Sequence, residues 1–349
     1  MSRLKHPVKK LLVACALLPL LSVTAQAAEV TLKFQHFLPK QAPAHKNFVI
    51  PWKEAIEKES NGRIKVKVYP AMALGGKAPN LADQVKDGFV DVVFTLPAYT
   101  PGRFPAISAF ELPFMITDAV ETSQAIQEYY ETNAQVQQEF KDIHPLILWT
   151  HDRGVIHTKN KTVRNLDDLK NMKIRIPSRP VADAMTAYGA VPVAMPIPQM
   201  PSALSKNVID GTVVPWEIVP AFRLHELTDS STEVLGERGI YTAVLMLAMN
   251  KDKYNSLPAD LKKVIDNNSG MKWAKKVGAY YRDAEAPIRE MARKHGNNIV
   301  AIPAADVAKM RKQAMPVHDA WVKEMNEKGL DGQALLDSAN SLIDKYSKH

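Results

Sequence analysis

The chain alternates between short runs of period-two hydrophobicity and stretches of helical period, and that alternation restricts its fold more than any other feature. Residues Glu29 to His36 alternate apolar and polar, which predicts a strand. A loop with Pro39 and Pro43 follows, then a helical pattern from Asn47 to Ser60, an Asn61-Gly62 turn, and a second alternating run from Ile64 to Tyr69. Asn80 to Lys86 predicts a helix ending near Gly88, and Val90 to Phe94 a buried strand. Strand, helix and strand at this spacing predict parallel βαβ units, because parallel neighbours need a crossover while a meander does not.

A second α/β set is expected from about His144. It comprises strands at Ile147 to Trp149 and Met172 to Ile176, a short helix opened by Asn165 to Leu169, and a helix from Pro180 to Tyr188 closed by Gly189. Ser202 to Ser205 reads as helical, Val208 to Val214 leads into a strand, and Tyr241 to Asn250 is a third apolar strand. From Pro258 to Lys294 the texture becomes one long amphipathic helical pattern, with Asn267 to Gly270 and Pro287 as its weak spots. Unbroken, it would be a rod of about 50 Å, long enough to back two lobes. One pattern recurs: Val85 to Asp91 and Leu204 to Gly211 each end a helix at a residue able to take positive φ and then enter a strand with an acid. About 320 residues beyond the leader exceed one comfortable core, so two lobes are expected.

The leader itself is legible. Arg3, Lys5, Lys9 and Lys10 precede an apolar run from Leu11 to Leu21, and Ala25-Gln26-Ala27 offers small residues for cleavage after Ala27. This is the secretory pattern, and the run is too short to span a bilayer. Cys15 follows Leu12-Val13-Ala14 as in a lipidation site, but most of the apolar region lies after it, which disfavours that reading. With the leader removed no cysteine remains, hence no disulfide or thiol chemistry. Half of the formal charge of +8 goes with it too. The remaining bases alternate with acids, as from Lys53 to Lys58, and form no stripe interleaved with aromatics, so nucleic acid is not an expected partner. The reading is a periplasmic monomer.

Enzyme signatures are missing from the sequence: no G-x-S-x-G, no phosphate loop, no G-x-G-x-x-G after a strand, no H-E-x-x-H. His151 and His157 lie close together without cysteines or an acidic cluster, so neither a metal nor any other cofactor is expected. No catalytic residue is assigned. Attention moves to residues just past strand ends, where open parallel sheets bind ligands. Arg175 stands out, a lone cation between Ile174 and Ile176 and just before Pro177. It either pairs with an internal acid or grips a ligand carboxylate with its planar fork.

The segment Asn165 to Pro177 resembles the "DLKGLKIRVP" signature of TRAP transporter solute-binding proteins, the dicarboxylate-type family. Tyr69 to Gly76, Gly88 to Asp91, Glu111 to Phe114 and Ala203 to Gly211 follow in the family's order and spacing. The resemblance spans about residues 30 to 345. It implies an α/β, two-lobed periplasmic binding protein fold with crossing hinge strands and a long helix spanning both lobes. Lobe I would hold residues 28–150 plus about 240–280, and lobe II 151–239 plus about 281–349. It further implies capture of a small organic carboxylate by Arg175 in an interlobe cleft and transient docking to TRAP membrane subunits.

A second family arginine falls where this chain has Val155, with Arg153 two positions away; Arg153 and Arg179 are the alternative cations. The family's Asp-Gly-x-Glu-Asn segment becomes Asp210 to Glu217, in which Val213 and Val214 replace the polar pair and Trp216 follows. That change points to a ligand with an apolar or aromatic tail. His36 and Phe37 after the first strand, Thr95 and Tyr99 with Phe94 after the third, Met195, and Glu217 complete the expected ligand-binding set. A four-carbon dicarboxylate ligand, a signalling-receptor role and a secreted enzyme are the competing readings.

Overall fold

A computed structural model describes residues 28–347; the leader read at 1–27, with Cys15, lies outside them. Strand β1 (Val30–His36), helix α1 (Ile50–Glu59) and β2 (Ile64–Tyr69) form the first βαβ unit. Helix α2 (Leu81–Lys86), β3 (Val92–Thr95), α3 (Ala119–Thr132), α4 (Ala134–Glu139) and β4 (Ile143–Thr150) follow. Next come β5 (Val155–Thr158), β6 (Lys173–Ile176), α5 (Arg179–Ala187), β7 (Val191–Ala194), α6 (Met200–Ser205), β8 (Gly211–Val214), α7 (Leu224–Leu227) and β9 (Ser230–Glu233). The chain ends with β10 (Val244–Asn250), α8 (Lys251–Asn255), α9 (Ala259–Asn267), α10 (Gly270–His295), β11 (Asn298–Ala301), α11 (Ala304–Glu327) and α12 (Gly332–Ser347).

Two sheets result, ordered β2-β1-β3-β10-β4 and β11-β9-β5-β8-β6-β7. In the first, β1 pairs parallel with β2 and β3, and β10 runs antiparallel between β3 and β4. The second set therefore starts at β5, not near His144: β4 pairs with β10 and belongs to the first sheet. The chain crosses between sheets from β4 to β5 and again from β9 to β10, and α10 packs on α3 and β4 as well as on the segment Trp216–Ile218 after β8.

The recurring pattern has the same structural job in both lobes. Gly88 and Asn207 take positive φ. Asp91 then accepts from the Lys33 backbone N–H at 2.7 Å, and Asp210 from that of Lys173 at 2.8 Å, so each acid fastens its own strand to the neighbour that it enters beside.

The amphipathic pattern from Pro258 to Lys294 breaks into α9 and α10. Asn268 turns its amide back to Val264 and across to Glu59, and Gly270 has φ +64°. Helix α10 continues through Pro287 to Gly296, whose left-handed conformation ends it. Its 26 residues span roughly 39 Å. Helix α12 packs against α3 of the first lobe, with Tyr129 donating to the Leu335 carbonyl, unlike the expected placing of residues from about 281 to 349 in lobe II.

Aromatic burial anchors the first lobe. Phe48 and Phe94 each lie 5.0 Å from Trp149, and Trp52 donates its indole N–H to Asn268. Where α10 crosses α3, Gly278 leaves no space for a side chain, since a Cβ there would fall 2.4 Å from the Ala119 carbonyl oxygen. Gly278→Ala is accordingly expected to destabilise the fold by about 1–3 kcal/mol through overpacking against backbone. Urea unfolding measures this, and an unchanged midpoint would show that the two helices are free to separate.

Candidate ligand-binding site

The parallel strands of both sheets end at a shared cleft. Phe37 follows β1, Leu96 and Tyr99 follow β3, and His151 follows β4. From the other side come Arg175 and Pro177 on and after β6, Ile197 after β7, and Val214, Pro215, Glu217 and Ile218 at the end of β8. Because β10 is antiparallel, its beginning lies at this same edge and brings Tyr241, Ala243 and Leu245. Together with Leu38, Phe94 and Tyr281 these side chains line one pocket between the two sheets.

Arg175 is the one cation on this wall. Strand β6 lies between β7 and β8, so the side chain starts from the interior of a sheet and is 1 % exposed. Its Nε donates to the Met195 carbonyl at 2.9 Å, which fixes the guanidinium plane. Its Nη2 is buried without a hydrogen-bond partner, and no carboxylate among the described residues pairs with it. Guanidinium stays charged at any physiological pH, and an uncompensated buried charge costs several kcal/mol. A carboxylate accepting two parallel N–H bonds is the group that this fork fits.

Tyr99, His151 and Tyr241 complete the cationic end. The hydroxyl of Tyr99 accepts from the Ile197 backbone N–H at 3.0 Å, a bond that joins the two sides of the cleft and leaves the phenol proton to donate. The Ala243 N–H donates to Nε2 of His151 at 3.1 Å, so Nε2 carries no proton and Nδ1–H donates to the Asp152 carbonyl at 2.6 Å. Burial, reinforced by the Arg175 charge, lowers the imidazole to about 4 against the raising effect of that carbonyl, so His151 is neutral. Tyr241 then gives its proton to Nε2 at 3.1 Å. Burial raises both phenols above their ordinary value, with Arg175 only partly offsetting it.

Gly154 places the Tyr241 ring. A Cβ at residue 154 would lie 2.0 Å from Cδ1 of that ring, and the Gly154 N–H donates to the Tyr241 carbonyl at 2.8 Å.

The opposite end of the cavity is acidic. Glu217 accepts from the Tyr280 hydroxyl at 2.5 Å, and burial raises its carboxyl to about 7 despite that bond. Below it, Glu285 of α10 accepts the backbone N–H groups of Trp216 and Glu217 at 3.4 and 3.2 Å. The long helix thereby holds the segment that carries Glu217.

Phe37, Tyr99, Val214, Glu217 and Arg175 line the cavity; several other expected residues do not. His36 points behind it and donates through Nε2 to Nδ1 of His45 at 2.9 Å, since its own Nδ1 accepts from Leu38. Thr95 is buried in β3 opposite Met246, and Met195 contributes its carbonyl rather than its side chain. Trp216 turns its indole N–H to Glu233 and its ring edge to His157, 5.0 Å away. Arg153 donates to the carbonyls of Thr117, Gly236 and Glu237, bracing one crossing segment against the other. Arg179 is exposed and pairs with Glu324 of α11 at 3.1 Å, at the rim of a larger outer space between the lobes. His151, Tyr241, Tyr281 and Ile197 were not among the expected ligand residues. His151 follows the same past-the-strand-end rule that marked Phe37, and could have been found by it.

The buried titratable groups also set the response to acid. His36 and His157 are lowered to about 3 and His151 to about 4, chiefly by burial, so the unfolded chain takes up protons that the native state refuses as pH falls from 6.5. Glu111, Glu139 and Glu217 are raised from 4.5 to about 7 by burial, and their effect opposes the histidines between those values. Below pH 4.5 both states hold these carboxyl protons, and the histidine slope is joined by that of carboxyls held below their ordinary value, Glu57, Glu128, Glu226, Asp260 and Asp306, with the same sign. Urea midpoints are therefore expected to vary little from about pH 6.5 to 4.5 and to fall below it. A midpoint that rises as the pH drops from 4.5 to about 3.5 would contradict this.

Residues 34–325 match the family of bacterial extracellular solute-binding proteins, family 7, and the chain belongs to that family. Its solved relatives are TRAP solute-binding proteins. One from a marine metagenome, specific for aromatic acid ligands and solved with 3-hydroxybenzoate, is 48 % identical over 92 % of this chain and 100 % of its own, with a TM-score of 0.90. Another, from Rhodoferax ferrireducens with copurified benzoate, is 46 % identical over 91 % of this chain and 98 % of its own, with a TM-score of 0.88. The C4-dicarboxylate-binding periplasmic protein DctP of Rhodobacter capsulatus is 27 % identical over 89 % of this chain and 92 % of its own. The fold is thus the two-lobed α/β architecture of TRAP binding proteins. Among the described residues no helix is long and apolar enough to cross a membrane.

Proposed function

We propose that this protein captures an aromatic monocarboxylate in the periplasm and delivers it to TRAP membrane subunits, without chemical turnover. The observation that carries the reading is the buried Nη2 of Arg175, unpartnered at one end of a cavity whose middle is apolar. A dicarboxylate would need a second cation at the far end, but Arg153 is committed to three carbonyls and Arg179 lies outside. The far end instead carries Glu217, which supplies no cation for a second carboxylate. Phe37, Phe94, Val214, Ile218 and Leu245 offer an aromatic ring apolar contact on several sides. The relatives' ligands, 3-hydroxybenzoate and benzoate, support the same class.

Ligand contacts come from both lobes, so a bound carboxylate favours the closed form in which Tyr99 meets Ile197. Closure is then the shape by which the membrane subunits tell loaded from empty protein. A thermal-shift panel on protein stripped of ligand by unfolding and refolding tests the ligand class. Aromatic monocarboxylates are expected to raise Tm by RT ln(1 + [L]/Kd), and linear dicarboxylates to raise it less. A panel led by dicarboxylates would overturn the assignment.

A further inference from the structure

The cavity is polarised, and its acidic end has a chemistry of its own. Glu217, in the Trp216–Ile218 turn after β8, lines the cavity although it is only 1 % exposed. Tyr280 holds Oε1 from the α10 side, and Glu285 holds the Glu217 backbone N–H. The carboxyl is thus fixed on the rigid helix and is not a mobile side chain that swings out to water. Arg175 does not pair with it. Consistent with that separation, Glu217 is raised to about 7 by burial, whereas a neighbouring guanidinium would have held it down.

We infer that Glu217 is a specificity determinant that accepts a hydrogen bond from a ring hydroxyl placed away from the carboxylate, so that the preferred ligands are meta- or para-hydroxylated aromatic monocarboxylates rather than the unsubstituted acid. This rests on the aromatic-carboxylate reading above and deepens it. A bare ring presents only C–H edges to Glu217; a phenolic O–H adds a further donor to a carboxyl that already accepts from the Tyr280 hydroxyl and the Ala44 backbone N–H. Sites that bury a polar group for a ligand hydroxyl discriminate strongly against the analogue that lacks it. Arg175 offers the ligand's carboxylate a cation and Glu217 offers none, and this difference fixes which way round the ligand binds. An ortho hydroxyl would sit beside Arg175 and miss Glu217.

Calorimetry with benzoate and with 2-, 3- and 4-hydroxybenzoate, on ligand-stripped protein and on Glu217→Gln, tests the assignment. The wild type is expected to bind the 3- or 4-hydroxy acid at least about tenfold tighter than benzoate, with no such gain for the 2-hydroxy acid. At about pH 8, above the value of about 7 to which the carboxyl is raised, that advantage is expected in Glu217→Gln to shrink by about fivefold or more while benzoate affinity changes less than about threefold, the hydrogen bond to an ionised acceptor being the stronger one. Equal binding of benzoate and all hydroxybenzoates by the wild type would overturn the inference without any variant. An equal loss for every ligand in Glu217→Gln would overturn it too, reducing Glu217 to a support for Tyr280. If the wild type binds none of the four acids, the aromatic-carboxylate reading itself falls, and this inference with it.

Discussion

Arg175→Lys is expected to weaken binding of an aromatic carboxylate by more than tenfold while the protein still folds. Lysine keeps the charge but not the planar fork, so the parallel pair of N–H···O bonds becomes at best one, at a cost of about 1.5–3 kcal/mol for a charge-assisted bond in a dry cleft. Nε of Arg175 also anchors the side chain on the Met195 carbonyl, and lysine has no donor at that position. Far-ultraviolet circular dichroism checks the fold and calorimetry the affinity. Undiminished affinity in a folded variant would remove Arg175 from the site.

Gly154→Ala should be nearly as damaging, although residue 154 does not line the cavity. The new methyl group would overlap the Tyr241 ring, 2.0 Å from Cδ1, so the ring must leave its place. With it goes the hydroxyl bonded to Nε2 of His151, and the wall beside Arg175 is rebuilt. An affinity loss of about tenfold or more is expected, comparable to losing one charge-assisted bond. The variant should also lose stability, since overpacking costs about 1–3 kcal/mol. A variant with native affinity and a native Tm would show that Tyr241 has space to shift without consequence.

What could be read from the sequence, and what could not, follows from how local each determinant is. Arg175 was visible because a single cation between isoleucines in a strand has few explanations. Phe37 and Tyr99 were found by position after parallel strands, and the valines at 213 and 214 announced an apolar pocket by replacing polar residues, though only Val214 reaches it. His36 obeyed the same positional rule and still faces away, because its partner is His45, in a π-helical turn that no periodicity announces. Arg153 looked like a ligand cation; its acceptors are carbonyls at 117, 236 and 237, brought together only by the fold. Tyr241 and His151 depend on β10 running antiparallel between β3 and β4. That insertion is a matter of topology, and the residues of β10 read as a buried strand in either direction. The split of the long helix was marked by Asn267 to Gly270, whereas the return of α12 to α3 had no local mark at all.

Titration of ligand-stripped protein with benzoate and, separately, with succinate compares the two ligand classes in the most direct way. An arginine at one end, an apolar middle and a carboxyl at the other predict that benzoate binds at least about tenfold tighter than succinate, whose second carboxylate would be desolvated against Glu217 without a cation. Succinate binding as tightly as benzoate, or tighter, would contradict the account.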